Sequence, residues 1–161
     1  PWVLEQLRTH KAKATFFCIG KNIEANPDVF AQVQADGHTI GNHTWDHCNG
    51  RHTSLADYVA SVQRCQPLTG SSLFRPPYGR LTRDQARALN NDFTIVMWSV
   101  LSGDFDVRID AERCTRNVLK HTEAGSIVVF HDSVKAWPRL RETLPKVLEH
   151  FSGLGYSFKG L

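Results

Sequence analysis

The sequence predicts an α/β protein, and three observations carry that expectation. Apolar, β-rich runs alternate with stretches of helical periodicity along all 161 residues. The β-rich runs, above all SIVVF and FTIVMWSV, are apolar on both faces, as strands of a parallel sheet covered by helices must be. The conspicuous polar residues fall just after such runs, where parallel α/β folds keep their functional groups. From these residues alone the architecture is either a barrel or a doubly wound sheet.

Each element has its own grounds. Pro1-Trp2-Val3-Leu4-Glu5-Gln6-Leu7 opens as a helix, with proline in the favoured first turn. No Met, no capping residue and no partner strand precede it, so the sequence predicts a first strand upstream of Pro1 that the chain does not contain. Residues 14–20 form an apolar run ended by Gly20, a strand. Val29, Phe30 and Val33 stand at helical spacing in 27–35, and Asp36-Gly37 stops that helix. Residues 38–43 alternate as a strand, and 55–65 carry Leu55, Tyr58, Val59 and Val62 on one helical face. A short strand at 73–75 runs into Pro76-Pro77-Tyr78-Gly79, and Thr82 caps a helix over 82–89. Residues 93–100 read as one buried strand, 111–122 as a helix, 126–130 as a strand and 139–151 as a helix. A last strand is expected over 156–161.

Composition narrows the function classes. The length suits one domain, 1–161, able to bury a core without disulfides. A net charge of +3, with no Lys/Arg run interleaved with aromatics, argues against a nucleic-acid partner. No stretch of these residues has the length of a membrane span or the layout of a signal peptide. Cys18, Cys48, Cys65 and Cys114 form no C-x-x-C pair, which argues against a zinc ribbon or a thioredoxin-like site. Cys48 follows His47 directly and is a minor candidate for a soft metal ligand; Cys18 lies in an apolar run as an inert thiol. Compartment, cytoplasm or cell envelope, and oligomeric state are left open by the sequence.

The chemistry gathers after the strands. His43 and His47 stand four apart at the end of the 38–43 strand, a spacing and placement suited to half of a site for Zn²⁺ or a similar borderline metal. By itself H-x-x-x-H is a weak signal. It gains weight because Arg75 to Gly79, Ser102-Gly103-Asp104-Phe105-Asp106 and His131-Asp132 also follow strands. Trp45, Phe105 and Trp137 are the aromatics best placed to stack on a sugar ring, whereas Trp98 lies inside an apolar run and reads as core. Asp132 reads as a cap, and His10, His38, His52, His121 and His150 have no motif around them.

These motifs, His43-Thr44-Trp45-Asp46-His47, Arg75-Pro76-Pro77-Tyr78-Gly79, Trp98 to Phe105 and Val129-Phe130-His131-Asp132, resemble in order and spacing those of the NodB-type polysaccharide deacetylases, carbohydrate esterase family 4. The resemblance covers essentially the whole chain. It implies a distorted (β/α)7-type barrel, here with the first strand missing, and an N-acetylated glycan as substrate. It further implies that His43 and His47 bind a divalent metal, Zn²⁺ first and Co²⁺, Ni²⁺ or Mn²⁺ as alternatives. Such an ion polarises an N-acetyl carbonyl and lowers the pKa of water toward ~7. The Tyr78 backbone N–H would serve as oxyanion donor, stiffened by the preceding prolines. His131 would be the general acid, tuned by Asp104, with Arg75 orienting a base. Arg75 and Asp104 have a plainer reading as a structural ion pair.

Two departures from the family pattern are visible. Its Thr-Phe-Asp-Asp motif, which supplies the general base and a third metal ligand, is absent from the 161 residues, and Asp46 is expected to point elsewhere. Leu101 stands where an acidic residue is common, which bears on the role of Asp104. The competing expectations are a non-catalytic carbohydrate-binding remnant and a metal hydrolase acting on O-acetyl esters or other C–N bonds.

Overall fold

Helix and strand alternate in the computed structural model, which describes residues 1–161. The elements are α1 (Trp2–Thr9), β1 (Thr15–Cys18), α2 (Gly20–Ala25), α3 (Pro27–Ala35), β2 (Thr39–Asn42), α4 (Leu55–Thr69), β3 (Leu73–Phe74), α5 (Arg83–Leu89), β4 (Thr94–Ile95), β5 (Val100–Leu101), α6 (Ala111–His121), β6 (Val128–Val129) and α7 (Trp137–Gly153). Two 3-10 turns, Gly50–His52 and Pro77–Gly79, interrupt the connections. The chain divides into two compact units, Lys13–Met97 with Gly160–Leu161, and Pro1–Ala12 with Trp98–Lys159.

In the first unit β1, β2, β3 and β4 lie side by side in that order, all parallel. Thr15 pairs with Thr39 and Cys18 with Asn42, so the end of β2 is locked to the end of β1. Tyr58 and Val62 of α4, Phe74 of β3, Leu89 of α5 and Phe93 form its core. Tyr58 and Phe74 are fully buried and meet edge to face, with Phe93 on the other side of Phe74. Burial of each such side chain stabilises the unit by roughly 1.5–3 kcal/mol. The helices are bounded as their sequences suggest. Ser54 caps α4, which ends on Gly70 at φ 58°, and Thr82 with Gln85 forms a reciprocal capping box on α5.

In the second unit β5 and β6 pair in parallel, Val100 with Val128 and Leu101 with Val129. α6 packs on α7, and Val100, Val118, Val147 and Phe151 make the core. Asp110 caps α6 through the Arg113 N–H at 2.7 Å. Trp2 of α1 meets Trp137 of α7 edge to face at 5.0 Å.

Three expectations need correction. The run 93–100 is not one strand. Thr94 and Ile95 pair with β3, whereas Val100 and Leu101 belong to the β5–β6 sheet. At the break, the carbonyls of Val96 and Met97 accept hydrogen bonds from the Arg75 side chain instead of from a neighbouring strand. Residues 156–161 are not a strand either. The last residue is tied by side chains, its N–H donating to Thr15 Oγ1 and its carbonyl accepting from Thr39 Oγ1. Finally, Gly20 does not merely end a strand; it begins α2. Its N–H donates to the Thr44 carbonyl and that of Lys21 to the Trp45 carbonyl, so two of the helix's unpaired amides are satisfied by the loop after β2. No helix is long and apolar enough to cross a membrane.

Candidate active-site residues

The loop after β2 is built around Asn42, a fully buried residue. Its Nδ2 donates to the Val62 carbonyl (2.9 Å) and Gln66 Oε1 (3.3 Å) of α4, and its Oδ1 accepts from the Thr44 N–H (2.9 Å). Thr44, also fully buried, accepts the His47 N–H on Oγ1 at 3.0 Å. Thr44 and His47 sit at φ 65° and 61°, in the left-handed region that side chains avoid. Each such residue carries strain of about 1–3 kcal/mol and persists only where its surroundings over-determine it. Here the strained turn holds the His43 and His47 rings 4.9 Å apart, centroid to centroid.

The loop after β3 meets this turn. Pro76 and Pro77 are buried, and Tyr78 follows at φ 59° with its side chain 60% exposed. The Tyr78 ring stands 4.7 Å from that of His47. The amides of Gly79 and Arg80 donate to the carbonyls of Pro76 and Pro77, but the Tyr78 N–H donates to no group of the chain. Arg75 lies beneath, half-buried, over the Phe17 ring at 4.2 Å. Its Nε and a terminal nitrogen donate to the Val96 and Met97 carbonyls (3.1 and 2.9 Å). Burial lowers its pKa to about 10, so it keeps its charge near neutrality.

The residues present fit a divalent ion as two of the usual three protein donors. His43 Nδ1 lies 2.6 Å from the Arg75 carbonyl oxygen, which can only accept; the proton is therefore on Nδ1 and the lone pair on Nε2. A backbone-anchored imidazole with a basic Nε2 is the ordinary form of a metal-binding histidine. No third His, Cys, Asp or Glu completes a cluster with the pair. Asp46 Oδ1 accepts the Ser61 hydroxyl at 2.8 Å. Cys48 packs against the Tyr58 core, and desolvation pushes its thiol pKa up, contrary to what a thiolate ligand needs. Trp45 carries the Arg64 guanidinium 3.7 Å above one face of its ring, which takes that face away from a stacked sugar. Its edge packs on Gly20, where an added Cβ would come within 2.5 Å of Cε3.

The second unit places His131, Asp104 and Phe105 together. Asp104 is fully buried; its Oδ1 accepts from His131 Nδ1 and its Oδ2 from the His131 backbone N–H, both at 2.7 Å. One carboxylate thus fixes the tautomer and aim of the imidazole, leaving Nε2 as the outer nitrogen, on a side chain 39% exposed. The Phe105 ring meets His131 edge to face at 5.0 Å. Gly103, at φ 81°, allows the backbone reversal that drives Asp104 inward. Buried Arg139 of α7 donates through Nε to the Asp104 carbonyl at 2.6 Å and through a terminal nitrogen to the Lys135 carbonyl. Trp98 is half-buried.

Asn42 and Arg139 were missed by sequence reasoning. A polar residue inside the β2 pattern was a usable signal for Asn42; Arg139 gave none, being one arginine among several on an amphipathic helix.

The polysaccharide deacetylase family profile matches residues 1–96, more than half of the chain. The chain belongs to the polysaccharide deacetylase family. Among curated members, a peptidoglycan-N-acetylglucosamine deacetylase of Bacillus cereus is 32% identical over 140 residues, 83% of this chain and 50% of that one. A chitooligosaccharide deacetylase of Azorhizobium caulinodans is 38% identical over 141 residues, 82% of this chain and 66% of that one. This deacetylase-family chain therefore spans half to two thirds of the length of these two relatives. The crystal structure of the Bc1960 peptidoglycan N-acetylglucosamine deacetylase matches with a TM-score of 0.89 at 29% identity, over 99% of this chain and 78% of that one. That match bears out the α/β class expected from the motifs, the fold of this deacetylase family.

Proposed function

We propose that this chain belongs to a metal-dependent hydrolase that removes N-acetyl groups from amino-sugar polymers or oligomers. The observation that carries the reading is Tyr78, held at a strained φ with its ring against that of His47 and its amide donating to no group of the chain. On this exposed residue the N–H is open to an incoming group, and an oxyanion is a partner it suits. The family, and relatives named for peptidoglycan and chitooligosaccharide deacetylation, support the substrate class.

The roles follow from each residue's surroundings. His43 and His47 would hold the ion, zinc first, with Co²⁺, Ni²⁺ or Mn²⁺ as alternatives. When bound, the ion supplies Lewis-acid polarisation of the acyl oxygen and acidification of water. The Tyr78 N–H donates to the oxygen as charge develops on it. His131, protonated on Nε2, gives that proton to the departing amine, while Asp104 holds Nδ1–H and so keeps Nε2 the transferring nitrogen. Arg75 shapes the floor of the Tyr78 loop from beneath. The proton the water sheds leaves to solvent, from which His131 is reprotonated for the next turnover.

The test is acetate release from N-acetylated chitooligosaccharides and from O-acetyl xylan by the metal-stripped full protein, with and without added Zn²⁺. Zinc-dependent release from the amide alone is expected. Release from the ester alone would replace the reading with an O-deacetylase. A second reading is a glycan-binding remnant without turnover. Glycan binding that survives chelation, with no acetate released under any metal, would establish it instead.

A further inference from the structure

The loops after β2 and β3 touch twice. The inner contact is His47 with Tyr78. Three residues beyond His47 and two beyond Tyr78 they meet again, at Gly50 and Arg80. A Cβ on Gly50 would lie 2.6 Å from the Arg80 carbonyl and 2.9 Å from Leu81 Cα, so only glycine permits this approach. Gln85, fully buried, rivets the junction: its Nε2 donates to the carbonyls of Gly50 (2.9 Å) and Thr53 (3.1 Å), and its Oε1 accepts the Thr82 N–H (2.8 Å). Asn49 closes the turn from the other side by accepting the Arg51 N–H on Oδ1.

This rigid junction carries cations. Arg51, His52, Arg80 and Arg83 are all exposed, and none of the three arginines forms an ion pair. Nearby carboxylates are engaged: Asp84 pairs with Arg87 at 3.5 Å, and Asp57 accepts the Ser54 hydroxyl at 2.7 Å. A merely solvated charged face needs neither a buried glutamine nor an obligatory glycine to fix it. We infer that the Gly50–Arg80 junction is a cationic subsite of the His43–Tyr78 loops, taking the carboxylates of an acidic N-acetylated glycan. The inference rests on the deacetylase reading and deepens it, since it prefers a carboxylate-bearing polymer over neutral chitooligosaccharide.

The carboxylate could be borne on a peptide stem or on a uronic acid, and the experiment separates the two. Binding of a muramyl-peptide disaccharide, a hyaluronan tetrasaccharide and neutral chitotetraose to the metal-stripped protein is measured by calorimetry at low and high salt. The comparison is with R51E/R80E and, to guard against misfolding, with R51Q/R80Q, each checked by circular dichroism. Charge reversal is expected to weaken one or both acidic ligands ~10-fold and to flatten their salt dependence. Chitotetraose should stay within ~2-fold of its original affinity. Whichever acidic ligand responds names the source. Equal loss for all three ligands, or no loss for either acidic one, overturns the subsite. Because binding is read without turnover, a failed acetate assay would sink the deacetylase reading and leave this measurement standing.

Discussion

At the end of β2 three side-chain-bearing residues around the histidine pair, Thr44, His47 and Tyr78, adopt positive φ. Beyond β5 and β6 the backbone of Asp104, Phe105 and His131 is relaxed, and the positive φ there belongs to Gly103. Both regions must hold an imidazole still. The first does it with backbone strain, over-determined by a buried neutral amide; the second does it with a buried carboxylate that spends both oxygens on one residue. The contrast fits the roles proposed. A metal-binding pair and an oxyanion donor require fixed positions, whereas a group that gains and loses a proton requires a fixed charge beside it.

Perturbations of each region sharpen that contrast. His131→Ala in the full protein should lower kcat ~10²–10⁴-fold while zinc binding, read by competition with a chromophoric chelator, stays intact; undiminished turnover would remove the acid role. The isosteric exchange Asn42→Asp puts a charge against the Val62 carbonyl in a buried place, and should cost about 3–5 kcal/mol in urea unfolding. The mirror exchange, Asp104→Asn, turns an amide donor toward one of two donors and should cost about 1–3 kcal/mol. If the second exchange proved the more costly, the division of labour between amide and carboxylate would be wrong. Tyr78→Gly relieves left-handed strain and loses little burial, so thermal stability should rise by about 0.5–1 kcal/mol; a loss would mean the turn is unstrained. The smallest effect is expected at Asp106, whose carboxyl Arg108 holds below the ordinary range through a surface pair, the arginine side chain 84% and the aspartate side chain 23% exposed. Its folded-state pKa is depressed, so any stability it adds exists above about pH 3.9 and disappears as pH falls below it. Asp106→Asn should match the parent closely at neutral pH and be indistinguishable from it in acid.

Much of this was legible in the sequence because the fold repeats one unit of grammar. Thr82 announced one helix and Gly37 ended another, and the order of elements followed the alternation of periods. Residues 93–100 do not read as two strands because a strand that leaves one sheet and enters another keeps the same apolar pattern; the turning point is made by Arg75, 21 and 22 positions away in sequence. Residues 156–161 were misread because alternation predicts a ladder, yet two hydroxyls provide the hydrogen bonds. His43, His47 and Tyr78 in one unit, and Asp104 and His131 in the other, stand out in the sequence as candidates because their chemistry is unusual at strand ends. Trp45 shows the limit of that signal, since an aromatic in a motif reads the same whether a sugar or Arg64 covers it. Asn42 and Arg139 act through hydrogen bonds spanning 20 and 35 positions, which no local pattern encodes.

The ties from Leu161 to Thr15 and Thr39 span 146 and 122 positions, while residues 1–12 group with 98–159. Neither unit is therefore a contiguous length of chain. On the ribosome, the sheet that carries the histidine pair can assemble early but cannot be closed at its β1–β2 side until Leu161 has been added. Closing so long a loop adds only slowly to the entropic cost, by about 0.6 kcal/mol per doubling, yet it makes the contact late and slow.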